Sequence, residues 1–432
     1  MFMRKPDLHR IITLVLSMTI CWSLKAQEFY TTSRTAEIRS LQVLADGDFR
    51  KMPVIGLDDN SKITISFDYV ADQQPWMDYT VVHCNRFWQK DDLDESEYLE
   101  YTYLPQHIEE VKPSFNTFLQ YYHYKVTFPN EDVRPTVSGN YAVLFHPQGE
   151  PDSILAMATF CVSEKMAFVS GEVSGNTDID FNAQHQQLSL EVGWSNNQLP
   201  NLNPATELTV RIQQNGRRDN EQLLTKPLRM EANRVVYEHD RQLIFEGANN
   251  WRRFEFTDEK YPGIGVDRIR YQSPIYHAYL NVDQERSLNH YIYDQDQHGR
   301  FYLHALRVDD KEVESEYFKA EFTLKASRRW DERGVYLLGE FTHQVLDSSS
   351  RMEYDEEEGV YRKEVLLKQG AYNYMYVVPV DSKLSTAAIE GNHYETPNEY
   401  QISIYYHPFA ARYDRLIGIG GLQAHGQASA RK

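Results

Sequence analysis

After about residue 27, apolar and polar residues alternate with a period of two over most of the chain. Ile38-Arg39-Ser40-Leu41-Gln42-Val43 and Lys62-Ile63-Thr64-Ile65-Ser66-Phe67-Asp68-Tyr69 show the pattern plainly. Successive side chains of a strand point to opposite faces, so this alternation predicts strands with one buried face. Helical spacing is almost absent. Residues 79–84, 121–128, 138–145 and 157–162 continue the series, and Ser138-Gly139-Asn140 opens one of them as a turn. Strands at this spacing, punctuated by Gly, Pro and Asn, predict a sandwich over residues 28–164.

A second block runs through 188–194, 206–213, 242–245, 251–256, 276–282 and 301–306, with turns at Asn215-Gly216 and Gly299. It predicts a middle sandwich over 165–328. A third block holds 334–341, 360–367, 370–378 and 399–406 and predicts a C-terminal, early-set-like sandwich over 329–410. Residues 411–432 turn rich in Gly and Ala and read as a tail. The expected fold class is all-β, with tandem Ig-like or early-set β-sandwich domains. A length of 432 residues suits three such domains.

The N-terminus breaks the pattern. Arg4, Lys5 and Arg10 precede an apolar stretch from Ile11 to Trp22, and Ser23-Leu24-Lys25-Ala26 offers a cleavage site before Gln27. Residues 1–26 therefore read as a signal peptide, too short in its apolar part to span a bilayer. Ile20 stands before Cys21 where a lipidation signal wants a small residue, which argues against a lipid anchor there.

Removing residues 1–26 takes away four basic residues and the acidic Asp7, moving the net charge from −18 to −21. That acidity disfavours nucleic acid and anionic lipid as partners. Cys84 and Cys161 remain, both on expected strands, and an oxidising compartment would let them pair or leave them buried and free. Aromatic residues reach 13%, with 30 Tyr and 20 Phe, which suits half-buried sheet faces and contact surfaces.

The search for chemistry is negative. Residues 88–107 carry Asp91, Asp92, Asp94, Glu95, Glu97 and Glu100, and like charge in such a run reads as a solvated loop. Asp294-Gln295-Asp296-Gln297-His298-Gly299 begins like a calcium loop, but the twelfth position is Ala305, so a turn is expected. Arg252-Arg253, and Arg268 with Arg270, read as solvent faces of strands. Gly418-Ile419-Gly420-Gly421 lacks the surroundings of a nucleotide fingerprint. No zinc helix, nucleophile elbow or phosphate loop occurs. No catalytic, cofactor-binding or metal-binding residues are expected, no cofactor, and no enzyme activity. Partner-binding residues stay open. The tyrosine-rich strand from Tyr121 to Tyr124 reads as core and edge rather than interface, and Asn249-Asn250-Trp251 as a buried tryptophan or an exposed anchor.

Two resemblances follow from particular segments. Val335 to Phe341, the Gly370-Ala371-Tyr372-Asn373-Tyr374 strand and Asn398 resemble the early-set sandwich of glycogen-binding modules. That family's sugar platform needs flat aromatic surfaces, and here Gln344 stands where its first tryptophan would be. Residues 381–384, at the second position, hold no aromatic either, so carbohydrate is disfavoured as a partner.

The mature chain as a whole resembles the plug proteins of the type IX secretion system of the Bacteroidetes. The resemblance rests on Ile38-Arg39-Ser40-Leu41, Asn116-Thr117 through Tyr124, Ser138-Gly139-Asn140-Tyr141 and Phe168-Val169-Ser170-Gly171-Glu172-Val173. Asn249-Asn250-Trp251-Arg252-Arg253-Phe254-Glu255-Phe256 and Arg412-Tyr413-Asp414-Arg415-Leu416-Ile417-Gly418 complete it. It implies a periplasmic, outer-membrane-associated protein that closes the periplasmic mouth of a translocon barrel and is not itself inserted in the membrane. Its partner would be that barrel protein. The alternative is a periplasmic or surface carbohydrate-binding protein.

Overall fold

A computed structural model describes residues 27–103, 105–330, 333–380 and 383–424. The expected signal peptide, Cys21 and the last eight residues lie outside these. The regular structure of the described residues is almost all strand, with helices no longer than four residues. Among the described residues, no helix is long and apolar enough to cross a membrane.

In the first unit, Ile38–Ala45, Ile63–Val70, Tyr121–Phe128 and Glu110–Pro113 form one antiparallel sheet. Ala156–Ser163, Gly139–Pro147 and Met77–Cys84 form the centre of a second. The alternation works as read. Ile63, Ile65 and Phe67 are buried while Thr64 and Ser66 between them are not. They meet Tyr79, Val81, Tyr141, Val143 and Phe145 from the other sheet in one core. Burying large aliphatic and aromatic side chains contributes roughly 1.5–3 kcal/mol each, which is what holds two such sheets face to face.

The strand pairing departs from the expected boundaries at 328 and 410. Glu399–Tyr406 pairs with Leu208–Gln214, and Arg415–Gln423 then pairs with Glu399–Tyr406. Both therefore belong to the second unit, whose core joins Leu188, Leu190 and Val210 to Tyr400, Ile402 and Ile417. Conversely, Arg252–Phe256 pairs with Gly370–Val380, and Tyr317–Lys325 pairs with Val360–Lys368. Residues from about 249 to 390 thus form the third unit, inserted into the second, around Phe254, Phe322, Tyr372 and Tyr376.

The supposed tail is corrected in the same way. Gly418 and Gly420 lie where an added Cβ would strike Ala167 and Val169, so these glycines let the last strand pack closely. Alternation marks a strand but carries no information about its partner, which is why an insertion stayed invisible.

Candidate functional site at the junction of the three units

Each unit presents a sheet face to another, and the faces meet through buried polar groups. Between the first and third units, Asp68 and Lys368 are the centre. Asp68 lies on the outward face of Ile63–Val70, and Lys368 ends Val360–Lys368. Lys368 Nζ stands 2.7 Å from Asp68 Oδ2, and Tyr317 donates its hydroxyl to the same oxygen at 2.6 Å. His123 Nδ1 lies 2.7 Å from Asp68 Oδ1. Lys368 also donates to the Glu312 carbonyl at 2.6 Å and sits 4.2 Å from the centre of the Tyr121 ring.

Burial alone would raise the Asp68 pKa, but Lys368 and His123 outweigh it and hold the carboxyl below its ordinary value. Burial pulls the Lys368 ammonium down, opposed by Asp68. Around this pair, Tyr121, Ile275 and Tyr317 form a small apolar cluster shared by the two units. Ser40, in a bulge at positive φ, approaches the Tyr317 hydroxyl at 2.9 Å.

Between the first and second units, Tyr405 donates to Asn140 Oδ1 at 2.8 Å, and Arg86 N donates to Asp414 Oδ2 at 2.7 Å. Arg415 pairs with Glu164, whose carboxylate also accepts from Ser138. Cys161, Tyr405 and Leu416 pack together there. Cys161 and Cys84 are both buried and free.

Between the second and third units the chain crosses twice. Asn249 donates to the Glu390 carbonyl at 2.7 Å, and His393 N donates to the Ala248 carbonyl at 2.9 Å. Trp251 is buried, so it is no exposed anchor. Arg252 corrects the solvent-face reading. It lies inside, with Nε 3.0 Å from Glu390 Oε2 and Nη1 2.8 Å from Asp283 Oδ1. Arg253 and Arg268 do face solvent.

Other singled-out residues are dispersed. Asp91 bonds His83 inside the first unit, and Asp94 with Glu97 caps a one-turn helix, Glu95–Tyr98, so the acidic run is only partly a solvated loop. Asp296 accepts from Trp251 N and His298 N, as a turn requires. Gln344 accepts from Arg218 N at 3.3 Å within the junction, so the sugar-platform position faces another unit.

One further set is brought together by strands that lie far apart in the chain. His277, Glu321 and Glu364 on three neighbouring strands bring one donor atom each within 4.8 Å of one another. Lys319 Nζ, 2.8 Å from Glu364 Oε1, already supplies positive charge there.

Where all three units meet lies a cavity of about 200 Å3, lined by Trp88, Arg211, Arg218, Arg300 and Glu340 among others. Burial raises the Glu340 pKa to about 7 against the opposing Phe301 N–H and Arg300. A second crevice, about 460 Å3, adjoins it between the first and third units, and the two share Tyr30, Leu41 and His343 in their walls.

Residues 38–164 match the model of the type 9 secretion system plug protein first domain. Over 92% of this chain and all of the other, the protein is similar to a solved structure, a hypothetical protein from Parabacteroides merdae, at 39% identity and a TM-score of 0.88. The chain belongs to one family with that protein and carries the plug first domain. No curated protein matches it. The plug domain implies a role in type IX secretion and a place in the cell envelope. Of the segments that carried the resemblance, those of the plug domain at 38–41, 116–124 and 138–141 lie largely at its contacts with the other units. Ser40, Tyr121 and Asn140 are the examples named above.

Proposed function

We propose that this protein is a non-catalytic component of the type IX secretion machinery that plugs the periplasmic opening of the outer-membrane translocon barrel. The observation that carries the reading is the plug first domain over residues 38–164. The buried polar junctions support it physically. A plug acts by bulk and fixed shape, and three sandwiches joined through hydrogen-bonded, largely water-excluded groups resist bending at their joints far better than domains on flexible linkers. Exposed Phe115 and Phe118, the latter 4.9 Å from the Tyr271 ring across the first and third units, offer aromatic anchors for a barrel wall.

The test is affinity purification from native envelopes with mass spectrometry, joined to a permeability assay in a deletion strain. Recovery of an outer-membrane barrel protein, and a leaky outer membrane where the translocon stands open, are the expected results. Recovery of the protein alone with normal permeability overturns the reading. Retention on starch or glycogen would favour the carbohydrate-binding alternative instead.

A further inference from the structure

The crevice between the first and third units contains a cation without a counter-ion. Arg39, on Ile38–Ala45, lines it. Its Nε is buried without a partner, and among the described residues its guanidinium makes no hydrogen bond and no ion pair. Other buried cations of the molecule are treated differently. Arg217 faces Asp219, Arg252 faces Glu390, and Lys368 faces Asp68. A guanidinium keeps its proton at neutral pH, so the half-buried Arg39 carries a charge with no contacting counter-ion to offset its partial desolvation. Its pKa is drawn down by that burial, opposed only through space by Tyr317 and Glu37.

The surroundings suit a negative guest. At about 460 Å3 the crevice falls within the size range of small-ligand sites. Arg34 stands at its rim, and Thr35, Thr342 and His343 are in its walls. One acid, Asp347, also lines it, and its Oδ1 is engaged by Ser349 N at 2.7 Å. In a chain this acidic, a crevice with two arginines and a single engaged carboxylate is a local reversal of sign.

We propose that this crevice binds a small oxyanion, a carboxylate or a phosphate, on the Arg39 guanidinium, with Arg34 contributing at the rim. The planar fork of a guanidinium matches two oxygens of either group at once. The next residue along the strand, Ser40, contacts the Tyr317 hydroxyl of the Asp68–Lys368 network. A bound anion therefore tightens the joint between the first and third units, and binding appears as a gain in stability.

The experiment is thermal unfolding and titration calorimetry of the purified full chain with sodium phosphate and with sodium succinate, at an ionic strength matched by sodium chloride. A saturable rise in Tm with phosphate alone assigns a phosphate site, and with succinate alone a carboxylate site. A rise with both assigns a general oxyanion site. Arg39→Gln should fold, be at least as stable as the parent without ligand, and lose the ligand-dependent rise. Arg39→Lys keeps the charge without the fork and should bind about tenfold more weakly. Arg268→Gln, on an exposed strand, is the control that keeps the response. No rise beyond chloride, or an equal rise in Arg39→Gln, overturns the proposal.

Discussion

Lys368 and Asp68 stand 300 positions apart in the chain, yet their charged atoms meet at 2.7 Å with both side chains shut off from solvent. One comes from the third unit and one from the first, so this contact exists only when the two are docked. A pair this deeply buried does not stabilise by Coulomb attraction alone, because each charge has lost its water. Tyr317, His123 and the Glu312 carbonyl supply the remaining hydrogen bonds.

Breaking the pair from one side should be severe. Lys368→Met leaves the Asp68 carboxylate buried without its ammonium and is expected to cost about 3–5 kcal/mol in denaturant unfolding. Adding Asp68→Asn should recover much of that loss, as coupled neighbours do. The Asp68 pKa is depressed below its ordinary 3.8, so its contribution is present above that value and fades as pH falls through the lower folded value. Acid titration of the parent should show this loss, and Asp68→Asn should lack it. A Lys368→Met protein as stable as the parent would show that the joint is held elsewhere.

Glu340 predicts a slope of the opposite sign. Its carboxyl, beside the central cavity, is raised by burial from 4.5 to about 7. The fold therefore favours the protonated form, and its contribution is complete below pH 4.5 and lost as pH rises to about 7. The slope from this single group approaches about 1.4 kcal/mol per pH unit in that window. Glu340→Gln should flatten the stability profile between pH 4.5 and 7, measured by chemical denaturation at each pH. An unchanged profile rules out a titrating Glu340.

Asn250 predicts a local effect. Its Nδ2 donates to the Ile292 carbonyl at 2.7 Å, and its Oδ1 accepts from the Tyr291 hydroxyl at 2.9 Å. It thereby holds the long irregular segment of residues 285–298, on which Leu288, Ile292 and Tyr293 are exposed. Asn250→Ala removes two hydrogen bonds, about 1–2 kcal/mol in all. Chymotrypsin should cut this segment about tenfold faster while the rest of the chain stays intact. Cleavage at the parental rate, or scattered over the whole chain, would contradict this anchoring role.

The amino-acid sequence by itself determined the strands, because alternation is a local property written residue by residue. Ile63, Ile65 and Phe67 had to face one core whatever lay around them. It also determined the turns at 294–299 and 215–216, since Asp, Asn and Gly permit conformations and hydrogen bonds that other residues resist. Only the tertiary structure decided what each strand pairs with. Glu399–Tyr406 is as regular in sequence as any strand of the third block, yet it closes the second unit around an insertion of some 140 residues.

The junction was hidden for a related reason. Asp68 alternates outward beside Ser66 and Thr64, and on one sheet taken alone that face belongs to solvent. Docking of a distant surface turned it into interior, and charge that reads as solubility in one dimension became the contact that joins two units. Period-two patterning records which side of a strand is dry within its own sandwich. It holds no record of which wet side another sandwich will later cover.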